Sequence, residues 1–203
     1  MLSHKQAYTG HKSAVHLAGV VAMLILTSAI SGEPTASSAS NTAVGPSRGK
    51  TISDDVGFLF ISIIAEITAR PEVSAIDGYA VGNHWRRVPS VTAAMLNAKV
   101  AYAGKINGQV VMLGGDGTND IFSVTIRDGF DPEPVKAVLR QVFTLKDEGS
   151  EVTVGQRFET YSLIDHSNNL GVVLISYGVA EAIRGTGTVG YMSARKVKEA
   201  RQQ

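Results

Sequence analysis

Cysteine is absent from the 203-residue chain, and that absence removes disulfides, thiolate zinc sites, thiol nucleophiles and a lipid-bearing cysteine together. Charge is scarce as well. Charged residues make up 18% of the chain and nearly cancel at a formal +1, so no basic field exists to hold nucleic acid. Tryptophan occurs once and proline six times. No apolar run reaches the roughly 20 residues of a membrane-spanning helix, and no fixed-period repeat is visible. What is plentiful is apolar material, at 44%, enough to bury one core and too much for intrinsic disorder.

The N-terminus carries His4, Lys5, His11 and Lys12 without an acid, then a nearly uncharged apolar stretch from Ala14 to Ile30, then small residues. A positive n-region, an apolar h-region and an A-x-A-like site at Ala29-Ile30-Ser31 read as a signal peptide over residues 1–31, cleaved after Ser31. Loss of Lys5 and Lys12 takes the 19 lysines and arginines to 17 against 18 acids, so the processed chain carries −1. This reading places the protein outside the cytoplasm, in a periplasm or beyond the cell, with no stable membrane anchor once the leader is removed. Residues 32–50 are rich in Ser, Ala, Thr, Gly and Pro and bury too little surface to order themselves, which makes them a flexible linker. Residues 51–203 are left as one globular domain.

Within that domain Ser53-Asp54-Asp55 offers an N-cap and first-turn acids. Val56, Leu59, Phe60, Ile63, Ile64 and Ile67 then follow at helical spacing until Arg70-Pro71. Residues 72–92 look irregular, broken by Gly78, Gly82 and Pro89. Asn107-Gly108 between two apolar runs predicts a hairpin, and Ile121–Ile126 alternates as a third strand. Asp131-Pro132 opens a second helix expected to end near Leu145. Strands around 156–164 and 170–177 form a second hairpin, and a helix near 191–201, with the basic run Arg195–Arg201, closes the chain. The expectation is therefore the α+β class: a mostly antiparallel sheet of about five strands, two hairpins plus one strand, with two to three helices packed on one face.

Gly114-Gly115-Asp116-Gly117-Thr118-Asn119-Asp120 is the string most suggestive of chemistry. Its GGDGT part resembles the phosphate loop of NAD and diacylglycerol kinases, and its GDGTND part resembles the metal-site loop of haloacid-dehalogenase-type phosphatases and ion pumps. Either resemblance implies backbone N–H groups on phosphate, with Asp116 and Asp120 holding Mg²⁺. The phosphatases also need an Asp-x-Asp nucleophile motif, which this sequence lacks, and the kinases need a helix where Ile121–Ile126 alternates as a strand. Gly, Asp and Asn are equally what a tight turn requires. Gly45-Pro46-Ser47-Arg48-Gly49-Lys50-Thr51 resembles a Walker A loop but is one residue short of its spacing.

His84 and His166 are the imidazoles of the domain, and Asp165 beside His166 raises the option of a hydrolase. No Gly-x-Ser-x-Gly elbow accompanies them, and the two histidines show no ligand spacing for a metal. His84-Trp85-Arg86-Arg87 joins the residue types enriched at interaction hot spots in an otherwise irregular segment. The function expected from these residues is an exported, non-catalytic binding domain without a cofactor. It would meet a protein or envelope component through His84, Trp85, Arg86 and Arg87, as an inhibitor, immunity factor or accessory subunit. The alternative is a divalent-metal-dependent phosphate-handling enzyme built on Asp116 and Asp120.

Overall fold

The structure, a computed structural model, describes residues 50–202. The signal peptide, nearly all of the linker and most of the Walker-like string lie outside the described residues.

Helix α1 (Ile52–Ala69) begins one residue after Thr51, whose hydroxyl accepts from the Asp54 N–H (3.2 Å) while the Asp54 carboxylate accepts from the Thr51 N–H (2.7 Å). This capping box satisfies two of the orphan donors at the helix start. The cap is thus Thr51, and Ser53 does different work: fully buried, its hydroxyl accepts the Asp131 N–H at 2.8 Å and so joins α1 to the entrance of a later helix. Of the expected stripe, Val56, Leu59, Phe60, Ile63 and Ile64 are buried and Ile67 is half-buried against the same core.

After α1 come α2 (Ala75–Gly82), β1 (Arg86–Arg87), α3 (Ser90–Met95), β2 (Val100–Ile106), β3 (Gln109–Gly115) and β4 (Ile121–Ile126). Helix α4 (Pro132–Leu139) leads into β5 (Thr144–Thr153), β6 (Gln156–Asp165), β7 (Asn168–Gly178), a single 3₁₀ turn, β8 (Gly187–Ser193) and α5 (Ala194–Ala200). All eight strands form one antiparallel sheet in the order β1-β2-β3-β4-β8-β7-β6-β5. Two four-stranded meanders thus meet at a β4–β8 seam.

Among the described residues, the expected sheet of about five strands with two to three helices is corrected to eight strands and five helices. Strands β1, β5 and β8 and helices α2 and α3 are the additions. Helix α4 stops at Leu139, and the chain beyond it turns into β5. The class, α+β with an antiparallel sheet, stands.

The helices also occupy both faces of the sheet, since side chains alternate along each strand. Val111, Leu113, Phe122, Val124, Ile126, Val173, Ile175, Val189 and Tyr191 point to one face and form the main core with α1, α2 and α4. The other face is covered at its flanks by the end of α3 and by α5, where Val197 packs on Val172 and Met192. Among the described residues no helix is long and apolar enough to cross a membrane.

Candidate functional site

The Gly114–Asp120 string is the β3–β4 connection, and each of its polar side chains is engaged in holding the fold. The Asp116 carboxylate accepts from the Thr118 N–H (2.9 Å) and hydroxyl (2.7 Å), closing the turn. Asn119 bolts down the α1–α2 loop. Its carbonyl accepts the Ala75 N–H at 2.9 Å and its amide donates to Pro71 O and Val73 O at 2.9 and 2.6 Å. Asp120 accepts from the Ser193 hydroxyl at 2.5 Å and pairs with Arg195, tying the turn to the start of α5. An arginine on a carboxylate occupies the lone pairs a cation would need. Among the described residues no group of three His, Asp or Glu gathers where it could hold a metal ion.

The His84–Arg87 segment divides. Trp85 is half-buried, its ring edge-on to Tyr79 at 5.6 Å and 89°, and it lies over Gly104, where an added Cβ would stand 2.1 Å from the indole. That tryptophan is committed to packing. Arg86 and Arg87 are exposed on the sheet's edge strand opposite Ala103 and Tyr102, while His84 is exposed with a left-handed φ of 57°. Alternation along β2 puts Trp85 and Arg87 on the α1 face and Arg86 on the opposite one.

His166 and Asp165 do pair, Nδ1 to Oδ1 at 2.7 Å, but with the imidazole 92% exposed at a hairpin turn. It lies in the open rather than in a water-excluding cleft. The other ionisable cluster lies between α4 and the sheet. There the Glu159 carboxylate accepts from Lys136 (2.9 Å), Tyr161 (2.9 Å) and Tyr177 (2.8 Å), and Lys136 also reaches Glu133. Burial alone would raise the Glu159 carboxyl, but those three donors outweigh it and hold the group below its usual range. Burial and the Glu159 bond push the Tyr161 hydroxyl up to about 12. A charged lysine and neutral tyrosines fully matched to one carboxylate make a clasp between elements, with no group left to attack a substrate.

Sequence reasoning missed the feature that does offer a binding surface, an apolar slot on the sheet face away from α1. Its floor is the seam: Ser123 and Thr125 of β4, Thr188 and Gly190 of β8, Leu174 of β7. One wall is Met95–Ala98, the segment leaving α3, which comes down close on the sheet because Gly114 has no side chain: a Cβ there would stand 3.1 Å from that of Ala98. The other end runs to Val172 and Met192 beneath α5. Gly190 leaves the floor open, since a Cβ built on it meets nothing nearer than 3.8 Å.

The slot encloses about 60 Å³, less than the roughly 150 Å³ that admits a benzene ring. Its backbone polar groups are paired, since strands β4 and β8 bond to neighbours on both sides, and the Thr125 and Thr188 hydroxyls bond each other at 3.0 Å. The floor is therefore largely apolar, with the hydroxyls of Ser123 and the threonine pair as its polar points.

No protein-family model matches the chain, and neither a curated protein nor a solved structure matches it.

Proposed function

We propose that this chain is an exported, non-catalytic binding domain that takes a thin apolar ligand into the seam slot. The carrying observation is the slot's largely apolar lining over floor strands whose backbone groups are paired within the sheet. A peptide or polar metabolite laid there would leave polar groups unpaired at about 1–3 kcal/mol each, whereas a hydrocarbon chain requires no partner and gains about 0.8 kcal/mol per buried methylene. The narrow bore selects against rings.

Of the four residues first assigned to partner binding, Arg86 fits this reading best, because register puts it on the slot's face of the sheet. The export half of the proposal rests on the leader over residues 1–31, and N-terminal sequencing of protein recovered outside the cytoplasm should begin after Ser31. A chain beginning at Met1 would overturn cleavage.

The slot is tested by calorimetric titration of the full chain with n-dodecyl maltoside, an uncharged single-chain amphiphile, below its critical micelle concentration. Saturable one-to-one binding is expected, lost in Gly190→Phe, whose Cβ has room at that position and whose ring blocks the floor. Absence of saturable binding would overturn the reading.

A further inference from the structure

The slot borders a second, differently charged cleft. Val172 lines both. Beyond it, between α5 and strands β6 and β7, lies a cleft of about 260 Å³ bordered by Ser162, Lys198 and Arg201. Residues 194, 197, 198 and 201 recur at three- and four-residue spacing, so one side of α5 presents buried Val197 together with these two exposed cations to the cleft.

The remaining cations of α5 are neutralised on its other side. Arg195 pairs with Asp120 and Glu199, and Lys196 pairs with Glu199 at 3.0 Å. Lys198 and Arg201 form no ion pair among the described residues. Glu148, which accepts from the Ser162 hydroxyl at 2.7 Å and lies 3.3 Å from Lys146, feels the charge of Arg201 without forming an ion pair with it. Two cations outside any ion pair thus stand at one end of a slot suited to hydrocarbon.

We propose that the composite site binds a free single-chain anionic amphiphile of the fatty-acid type, its alkyl chain along the β4–β8 seam and its carboxylate at Lys198 and Arg201. This rests on the slot reading above. The complementarity has two separable parts: the chain is recognised by a largely apolar floor whose backbone is paired within the sheet, and the head by charge. An uncharged amphiphile tests the first part alone.

The full chain is titrated with dodecanoate, dodecyltrimethylammonium and dodecyl maltoside, each below micelle formation. Dodecanoate is expected to bind once per chain and about tenfold more tightly than the cationic amphiphile, the size of effect that two partly exposed charges supply. Lys198→Glu combined with Arg201→Glu should reverse that order while leaving dodecyl maltoside unchanged. Gly190→Phe should weaken all three about a hundredfold, the loss expected from excluding several methylenes. Ser123→Leu, which narrows the slot from the neighbouring strand, repeats that measurement should the glycine variant unfold.

Equal affinity for the two charged amphiphiles, or indifference to the charge reversal, would overturn the head-group assignment while leaving the slot. Dodecanoate binding that survives both slot variants would place the ligand elsewhere and overturn the proposal. Association with phosphatidylglycerol vesicles without uptake of dodecanoate would overturn it in favour of a membrane surface.

Discussion

Trp85 stacks into a space that exists because position 104 carries no side chain. At the scale of single residues this pairing fixes two outcomes. Trp85→Ala removes a half-buried ring packed on Tyr79 and should cost about 2 kcal/mol in denaturant unfolding, below the 3–5 kcal/mol of a fully buried aromatic. If Trp85 also served a partner, binding would fall by more than the stability loss explains. Val154 makes the opposite case. It opens the β5–β6 turn with a left-handed φ of 47°, followed by Gly155 at 74°, and it is 80% exposed. A β-branched side chain in that region is strained and here buries nothing in return. Val154→Asn restores the Asn-Gly pair favoured in such turns, and urea unfolding should show a gain of about 1 kcal/mol.

Between elements, the α1–α4 contact is set by Gly57. A Cβ added there would stand 2.8 Å from the Cβ of Val138. Gly→Ala within a helix ordinarily stabilises by about 1 kcal/mol. Here the branched Val138 has little freedom to move aside, so Gly57→Ala should lower the midpoint of thermal unfolding. Elements were legible in the sequence to the degree that their burial is one-sided and regular. Helix α1, the Asn107-Gly108 hairpin and β4 carry plain periodicity and fall where it puts them. Strand β5 is an edge strand with almost every residue exposed or half-exposed, so no alternation marks it, and Val142 and Phe143 made α4 look longer than it is. Strand β8 is central, but Gly187 and Gly190 thin its pattern, and the final helix expected near 191–201 took in its last residues, whereas the helix begins at Ala194. Helix α2 hides behind Gly78 and Gly82, both of which face open space. The slot was illegible for a related reason. Its floor consists of the small and hydroxylated half of the strand alternation, which in sequence cannot be told from a solvated face, and only Met95 and Leu96, apolar residues outside the assigned elements, pointed to it.

At the scale of the whole molecule, the Lys136–Glu159–Tyr161–Tyr177 clasp links α4 to the second meander and gives stability its pH profile. Glu159 has a folded pKa below its ordinary 4.5. Its contribution is therefore complete above 4.5 and is lost as pH falls through the depressed folded value. Tyr161 runs the other way, with its share complete below its ordinary 10 and lost as pH rises towards about 12. Unfolding free energies measured from acid to alkaline pH should decline at both ends. Glu159→Gln should flatten the acid limb and cost about 3 kcal/mol at neutral pH, because it leaves a buried lysine short of its partner. An unchanged acid limb in that variant would show that the clasp does not govern acid stability.

The seam has a consequence in time as well as in space. Strand β8, made last, sits between β4 and β7, so each meander presents a bare inner border until residues 187–193 arrive to fill the gap. Synthesis from the N-terminus thus withholds the middle of the sheet until the other seven strands have been made, and the growing chain stays threadable until then. On the proposed export route, late closure at the centre would keep the chain from locking before it had crossed a translocation pore.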